Sequence, residues 1–412
     1  MGDATAHGVR LRFGTSALNH RSLRLLGSRL PRLTGGWMPW LEYATYALPE
    51  RDPDTWVRLR PILSGVCGSD LALLTGRASA ILSPFASFPA VLGHEVLARV
   101  ESGPLTGQRV ALDPLIGCIA RGLPECSSCA AGLPGTCLRQ ADGELAPAPM
   151  IGFCADVPGG WSDAMLAHRS QLHAVPESIS DAEAVLVEPL SVAMHAVLQE
   201  VPRAAERVLV IGGGTVGLCT VAALQMTDPT IDVTMVARHP AQARLAERLG
   251  AARVLRDRGP ALLDAAGAVV GARSFRSIYG EPVLAGGFEH VYDAVGSADS
   301  LTAAIGLAAP RARVTLLGGP GRLREMDWTL VWTRELRLAG TYVYGNEPSL
   351  AGSPHTFDHV MGLLAARPGL PIGELVTHRF ALGDWRRAMS AAMSRARSGA
   401  LKIVFALDEA DR

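Results

Sequence analysis

The feature that most constrains the fold is a glycine turn that directly follows an apolar segment. Residues 207–211 read Arg-Val-Leu-Val-Ile and lead into Gly-Gly-Gly-Thr-Val-Gly at positions 212–217. After a β-strand, the first glycine of such a turn allows a tight bend, the second allows a pyrophosphate to approach, and the last lets the following helix pack on the strand. Backbone N–H groups at the start of the helix then face the phosphates. The predicted phosphate-binding residues are Gly212, Gly214, Thr215, Val216 and Gly217.

Strand and helix patterns alternate after this turn, which specifies a doubly wound parallel sheet and places the chain in the α/β class. The region from about Trp56 to His173 differs, because it is rich in Gly and Pro with short apolar runs, a pattern typical of an irregular β domain. The predicted strands of the second region are Arg207–Ile211, Asp232–Val236, Phe288–Asp293 and Arg311–Leu317, and its predicted helices are Pro240–Leu249 and Ser300–Ala308.

Composition restricts the partners and the compartment. The 39 basic residues balance the 39 acidic ones, so no global charge attracts nucleic acid or an anionic membrane, and a small-molecule partner is favoured. The longest apolar run, residues 208–224, contains four glycines and reads as a buried strand and helix rather than a membrane span. Seven cysteines, an odd and clustered set, favour metal binding in a reducing cytoplasm over a disulfide framework.

Basic residues are almost all arginine, and Lys402 is the only lysine among the 39. The first fifty residues are rich in arginine, with no acidic side chain between Asp3 and Glu42. Such a start is typical of organelle transit peptides. Because the arginine bias runs through the whole chain, we favour an ordinary N-terminal elaboration.

Three short motifs carry metal-ligand chemistry. They are Cys-Gly-Ser-Asp at 67–70, Gly-His-Glu at 93–95 and Glu-Pro-Leu at 188–190. Thiolate, imidazole and carboxylate hold Zn²⁺, and a catalytic zinc keeps one coordination position open for water or substrate. A zinc motif followed by a dinucleotide motif predicts an enzyme that transfers hydride.

From about Trp56 onward the chain resembles the zinc-containing medium-chain alcohol dehydrogenase family, and its Glu-Pro-Leu motif is similar to the polyol and secondary-alcohol branch. The resemblance implies that Cys67 and His94 are the first two ligands of the catalytic zinc. It implies that Glu95 coordinates the metal directly or exchanges with water, and that Glu188 is the remaining ligand.

The resemblance also implies a route for protons. Ser69 matches the hydroxyl that passes the alcohol proton toward solvent, and Asp70 is expected to accept a hydrogen bond from the ring nitrogen of His94 that faces away from the metal. Many family members have a histidine five residues after the zinc cysteine, but this chain has Ala72 there. The relay is therefore carried over no further than Ser69.

Four further cysteines match the structural-zinc lobe of the family. The spacing of Cys126, Cys129 and Cys137 fits, but the usual first ligand position is occupied by Leu123. We interpret Ile119–Glu125 as an enlarged loop that leaves Cys118 as the fourth ligand. Four thiolates around zinc form a closed tetrahedral site that stabilises a lobe. The alternative is a degenerate lobe with free thiols.

The cofactor preference depends on the residue that ends the second strand of the α/β region. An enzyme that prefers NAD places Asp or Glu there for the ribose hydroxyl, whereas this chain has Ala237 followed by Arg238. A guanidinium pairs well with a 2′-phosphate, so NADP(H) is favoured over NAD(H). Lys402 matches a basic residue that family members direct at the cofactor phosphates, and a solvated surface lysine is the alternative.

The resemblance further implies a β-rich, GroES-like catalytic domain with an inserted Rossmann domain. We expect the catalytic domain with its N-terminal extension over 1–180, the cofactor domain over 181–344, and a return to the catalytic domain over 345–412. The sequence thus predicts a cytoplasmic, two-zinc alcohol or polyol dehydrogenase. The resemblance alone implies that it assembles as a homodimer or homotetramer. A biosynthetic aldehyde or iminium reductase of the same family, and a non-catalytic zinc- and nucleotide-binding protein, remain open.

Overall fold

The computed structural model describes residues 5–12, 16–26, 29, 35–323 and 325–407, and parts of the predicted N-terminal elaboration lie outside these residues. The chain divides into two compact units. The first contains Met1–Glu188, Tyr344–Pro368 and Gly373–Arg412, and the second contains Pro189–Val343 and Gly369–Ile372. The first break falls at Glu188 rather than at residue 180, because the following helix starts at Val187.

The first unit is built on antiparallel strands with irregular connections. A mixed sheet of seven strands has the order β17-β18-β3-β5-β6-β8, with β7 paired to β3, and a smaller sheet has the order β2-β1-β4. The strands are β1 (Thr5–Leu11), β2 (Leu41–Ala47), β3 (Trp56–Gly65), β4 (Ala90–Val91), β5 (Val96–Val100), β6 (Arg109–Leu112), β7 (Met165–His168), β8 (Leu172–Ala174), β17 (Val376–Ala381) and β18 (Lys402–Ala406).

The helices of the first unit are short, as expected where glycine and proline interrupt the chain. They are α1 (Ala17–Leu26), α2 (Gly68–Leu74), α3 (Ser127–Ala130), α4 (Asp181–Ala184), α11 (Thr356–Ala365), α12 (Trp385–Met393) and α13 (Arg395–Ser398). Helix α5 (Val187–Leu198) begins in the first unit and continues in the second.

Three segments meet at the place where the first motif is positioned. The last residue of β3, Gly65, donates its N–H to the carbonyl of Glu95 at 2.8 Å, and Val66 donates to the carbonyl of Ile403 in β18 at 2.9 Å. The buried indole of Trp161 donates to the carbonyl of Gly65 at 2.9 Å and packs edge-on against Phe405. These bonds bring the residue after β3, the 93–95 motif and the start of β18 to one point.

The extended N-terminal segment is part of this fold. Strand β1 pairs with β2 over seven residues, and Val9 and Leu11 belong to the same buried cluster as Trp40 and Trp161. The N-terminal elaboration therefore contributes directly to the core next to the 93–95 motif.

The second unit has the predicted doubly wound architecture. Its six parallel strands have the order β11-β10-β9-β14-β15-β16, and the central strands are almost fully buried, as expected when helices cover both faces. The strands are β9 (Arg207–Ile211), β10 (Asp232–Val236), β11 (Arg253–Leu255), β14 (Phe288–Asp293), β15 (Ala308–Leu316) and β16 (Arg337–Gly340), and the helices are α6 (Thr215–Thr227), α7 (Pro240–Arg248), α8 (Gly259–Val270), α9 (Ala298–Leu307) and α10 (Thr329–Thr333).

Several elements of this unit were not predicted from the sequence. They are strands β11 and β16, helices α8 and α10, and the antiparallel hairpin of β12 (Arg273–Arg276) and β13 (Pro282–Ala285). All four residues of β12 are exposed, so its sequence lacks the apolar alternation from which a strand is predicted. Among the described residues, no helix combines the length and apolar character that a bilayer crossing requires.

Candidate metal and cofactor sites

The structure brings Cys118, Cys126, Cys129 and Cys137 together in one buried cluster, with all ligand atoms within 4.8 Å of one another. The Sγ atom of Cys137 lies 3.6 Å from that of Cys118 and 3.9 Å from that of Cys126. A tetrahedral zinc with bonds of about 2.3 Å places its sulfurs about 3.8 Å apart. The spacing therefore fits a four-thiolate zinc site and is far too long for disulfides.

Backbone amides prepare this cluster for a cation. Amide groups of Cys129 and Leu138 lower the pKa of the Cys126 thiol to about 6. Burial raises the pKa of Cys129 and Cys137, because further thiolates in one buried pocket are unfavourable without a cation. A divalent metal removes this penalty, so the donor set fits zinc.

The enlarged loop is held by an arginine that the sequence analysis did not single out. Arg121 is fully buried, and its guanidinium donates to the carbonyl oxygens of Asp142, Leu145 and Ala148 at 2.6–3.0 Å. The guanidinium thereby fixes the loop that begins at Cys118. In a chain with 38 arginines, composition gives no signal for this role.

The second donor set lies where the three segments of the first unit meet. The ligand atoms of Cys67, His94 and Glu95 lie within 4.8 Å of one another. Gly93 has φ +94°, and a Cβ there would lie 2.3 Å from Cδ1 of Trp161, so only glycine allows the backbone to deliver the following histidine and glutamate. A thiol, an imidazole and a carboxylate form the donor chemistry of an open zinc site.

Asp70 and Ser69 flank the imidazole on opposite sides. Nδ1 of His94 lies 3.5 Å from Oδ1 of the fully buried Asp70, whose other oxygen accepts from the Cys67 N–H at 2.9 Å. Nε2 lies 3.4 Å from Oγ of Ser69. Burial acts to lower the pKa of His94, but the Asp70 carboxylate outweighs it and raises that pKa. The same negative field favours a metal cation on the Nε2 side.

Glu188 lies apart from the three grouped donors. Its carboxylate accepts a hydrogen bond at 3.2 Å from the hydroxyl of the buried Tyr344, a residue that the sequence analysis missed. Burial raises the pKa of Glu188 to about 7, and His94, Glu95 and Lys402 lie close enough to act on it electrostatically. The role of Glu188 as a metal ligand stays a prediction.

Lys402 departs from its predicted role at the cofactor phosphates. Its ammonium is 2% exposed and donates to both oxygens of Glu95 at 2.6 Å. Burial acts to lower the pKa of Lys402, but the charge of Glu95 raises it above its ordinary value. A buried ammonium already bound to a carboxylate is not available for a phosphate, so the expected phosphate contact is wrong, and so is the alternative of a surface lysine.

A third donor group, Asp113, His173 and His355, has different chemistry. Nδ1 of His355 accepts from the N–H of Phe357 at 3.2 Å, so in the neutral ring Nε2 carries the proton and faces Asp113 at 3.5 Å. A protonated nitrogen has no lone pair for a metal. The rings of His173 and His355 stack with their centroids 4.4 Å apart, so this group is a packing cluster.

The glycine turn has the geometry that the sequence predicts. Gly212 has φ +113°, and a Cβ on Gly217 would lie 1.8 Å from the carbonyl oxygen of Gly212, so both glycines are required by the chain itself. Gly214 precedes helix α6, and a Cβ added to it would meet no atom within 4 Å. The open space beside its bare backbone fits a pyrophosphate at a helix N-terminus.

The end of strand β10 lies beside this turn. A Cβ on Gly213 would lie 2.9 Å from the Cβ of Ala237, which is fully buried, and Arg238 follows as an exposed residue. The small side chain brings no carboxylate to the turn, and the next residue is a cation.

Two protein-family models match this chain, in agreement with its metal-donor groups and its glycine turn. A family model of the alcohol dehydrogenase GroES-like domain matches residues 53–177, and one of zinc-binding dehydrogenases matches residues 215–366. The sorbitol dehydrogenase of Arabidopsis thaliana is 26% identical over 89% of this chain and 92% of its own length.

Two solved structures share the fold. The RspB alcohol dehydrogenase of Escherichia coli CFT073, complexed with NADH, superposes with a TM-score of 0.71 at 22% identity over 98% of this chain and 100% of its own. A zinc-binding dehydrogenase of Sinorhizobium meliloti 1021, bound to NADP, gives a TM-score of 0.69 at 24% identity over 98% and 99% of the two chains.

The glycine turn yields a paired prediction. Gly217→Ala forces a side chain into the Gly212 carbonyl and should lower the free energy of unfolding by roughly 1–3 kcal/mol. Gly214 has φ −80° and open space beside it, so the melting temperature of Gly214→Ala should equal that of the wild type. Titration with NADPH, followed by fluorescence, should show at least roughly tenfold weaker binding for Gly214→Ala. Unchanged binding would mean that the pyrophosphate does not pass this residue.

The cysteine cluster yields a second paired prediction. Cys118→Ser should lose one zinc equivalent and lower the melting temperature by at least roughly 5 °C, because a structural zinc contributes folding energy. Cys154→Ser is the matched control, since Cys154 is equally buried but lies outside the cluster. Zinc analysis and calorimetry of both variants test the assignment. A Cys118→Ser protein that keeps all of its zinc contradicts it.

Proposed function

This chain belongs to the zinc-containing medium-chain alcohol dehydrogenase family, and from that premise we propose that it transfers hydride between NADP(H) and a small alcohol, polyol or the matching carbonyl compound. It is a zinc-dependent oxidoreductase with a GroES-like domain and a Rossmann domain. The observation that carries the proposal is the buried grouping of Cys67, His94 and Glu95 in a chain that also has an open glycine turn.

We assign two zinc ions to each chain, one to the four cysteines and one to the Cys67 site. Zinc in an open site acts as a Lewis acid that stabilises an alkoxide or polarises a carbonyl. Cys67 and His94 would hold this zinc, with a carboxylate from Glu95 or Glu188. Asp70 orients the imidazole, because it lies at Nδ1 and leaves Nε2 for the metal.

Ser69 is the residue placed to move the proton. Its hydroxyl lies beside Nε2 of His94 and is part of α2, whose first turn starts directly after Cys67. A hydroxyl accepts a proton from a bound alcohol while it donates its own to water. Ala72 has no group that could continue this path, so proton release beyond Ser69 would use water, the cofactor ribose or another side chain.

The preference for NADP(H) is supported by Ala237 and Arg238 at the end of β10. Without a carboxylate at this strand end, nothing repels a 2′-phosphate, and Arg238 supplies a charge-assisted donor. A homologue bound to NADP and another complexed with NADH show that relatives use both cofactors. A reduced cytoplasm suits seven free thiols, and a homodimer or homotetramer suits the family.

The two other readings differ from this one in measurable ways. A biosynthetic aldehyde or iminium reductase would have its highest kcat/KM with an aldehyde or imine substrate, and a much lower one with simple alcohols and polyols. A non-catalytic zinc- and nucleotide-binding protein would show no cofactor-dependent turnover at all. A panel of alcohols, polyols, aldehydes and imines, assayed with both cofactors by nicotinamide absorbance, distinguishes all three.

Catalysis at the Cys67 site predicts a separation of binding from chemistry. His94→Ala and Cys67→Ser should abolish turnover but leave the dissociation constant for NADPH unchanged, because the glycine turn belongs to the other unit. Ser69→Ala should lower kcat by roughly a hundredfold, the usual scale of a general acid–base contribution. Near wild-type turnover of Ser69→Ala across pH would remove Ser69 from the mechanism.

Cofactor preference predicts that two neighbouring substitutions both shift the enzyme toward NADH, by different means. Arg238→Ala should raise KM for NADPH by roughly ten- to a hundredfold, the equivalent of a lost charge-assisted pair, and should leave KM for NADH unchanged. Ala237→Asp should favour NADH further, because it places a carboxylate at the ribose. Steady-state kinetics with both cofactors measure these effects. A wild type that prefers NADH and ignores Arg238→Ala would show that Arg238 has no role.

A further inference from the structure

Lys402 and Glu95 form a buried ion pair that was not predicted from the sequence. The two residues are 307 positions apart, and their side chains are 2% and 1% exposed. One ammonium donates to both carboxylate oxygens at 2.6 Å. The same carboxylate also lies within 4.8 Å of the ligand atoms of Cys67 and His94. Glu95 is therefore placed between two positions for a cation.

Composition makes the identity of this cation informative. Every other basic residue of the chain, 38 in number, is arginine. A guanidinium is larger and brings five N–H donors, whereas an ammonium is compact and brings three. In a pocket where the cation is 2% exposed and binds the two oxygens of one carboxylate, each extra donor would need a further buried acceptor. The requirement for a compact cation explains why the arginine bias stops at this position.

The charges around the site show what this ammonium does. Cys67, Glu95, Asp70 and Glu188 bring acidic groups to one buried region, and Lys402 is the cation that binds one of them directly. Without the ammonium, two cations would remain for Glu95: the guanidinium of Arg395, which acts on Glu95 electrostatically, and the metal that Cys67 and His94 would hold. A carboxylate that moves onto the metal occupies the position that substrate needs.

We propose that Lys402 is a positioning residue that holds Glu95 beside the catalytic metal instead of on it, and so keeps one coordination position open. This inference rests on the proposed zinc site. Tyr344 holds Glu188 in a similar way, through a single neutral hydrogen bond of 3.2 Å. A neutral donor restrains a carboxylate less than a buried ammonium does, so Glu188 is the carboxylate free to complete the metal site.

The test uses full-length protein loaded with zinc or with Co²⁺, and it needs no substrate or cofactor. The variants are Lys402→Met, Glu95→Gln, the double variant Lys402→Met/Glu95→Gln, and Arg379→Met as a control that removes an exposed cation from the neighbouring strand β17. The readouts are the rate of metal loss to a chelator from the Cys67 site and the visible absorption of the Co²⁺ protein.

In Lys402→Met, Glu95 should bind the metal, so metal loss should slow by roughly ten- to a hundredfold and the Co²⁺ spectrum should change. In the double variant both effects should disappear, because glutamine supplies no charged ligand. Arg379→Met should match the wild type. If Lys402→Met does not fold, the double variant, in which no buried charge is left unpaired, should still fold and lose metal at the wild-type rate.

The outcomes separate this inference from the proposed function. A wild type that holds no metal at the Cys67 site overturns both. If the wild type binds metal at this site but Lys402→Met has the same rate of metal loss and the same Co²⁺ spectrum, only the inference is overturned. The inference is also overturned if the effects of Lys402→Met persist in the double variant. Lys402→Arg tests whether the pocket requires a compact cation. It should lower the melting temperature by at least roughly 5 °C, whereas Arg379→Lys should leave it unchanged.

Discussion

Burial of acidic ligands is the constraint on which the first unit depends. Four thiols in one cluster, and a thiol with several carboxylates in another, are stable inside a protein only where cations or hydrogen-bond donors compensate them. The chain supplies this compensation locally: backbone amides donate to the sulfurs of the cysteine cluster, and Lys402 donates to Glu95. Zinc ions at the two proposed sites would complete the compensation, so the groups that would hold the metals are also the groups whose burial the fold must stabilise.

The core and the glycine turn of the second unit are built mainly from uncharged groups. Its parallel strands carry apolar residues on both faces, and its cofactor turn uses bare backbone rather than charged side chains. Two of the glycines there are required by close contacts within the chain, while Gly214 borders open space that only a ligand would use. The buried acidic groups lie in the first unit, whereas the dinucleotide recognition that we propose uses the backbone N–H groups of the turn, together with Ala237 and Arg238 after strand β10.

Elements with a clear local sequence pattern were predicted, and elements without one were not. Strands β9, β10 and β14 have the predicted bounds, because short stretches rich in apolar and β-branched residues, bordered by turn residues, indicate buried strands. The hairpin of β12 and β13 escaped prediction because its exposed residues have no apolar alternation. The structure groups Cys67 with His94 and Glu95, and it groups the four cysteines, whereas Glu188, which the family resemblance adds to the first set, lies outside that group. Helix α8 and the exact division between the units were not predicted.

The sequence by itself determined the donor types, the glycine turn, the parallel sheet and the two-part organisation, because each of these is written in residues close together in the chain. Only the tertiary structure decided which partner each buried group has. Lys402 meets Glu95 across 307 residues and Tyr344 meets Glu188 across 156, and neither contact leaves a local pattern. Such pairs arise from packing of distant strands and from the need of every buried charge for a partner, which a linear motif does not encode.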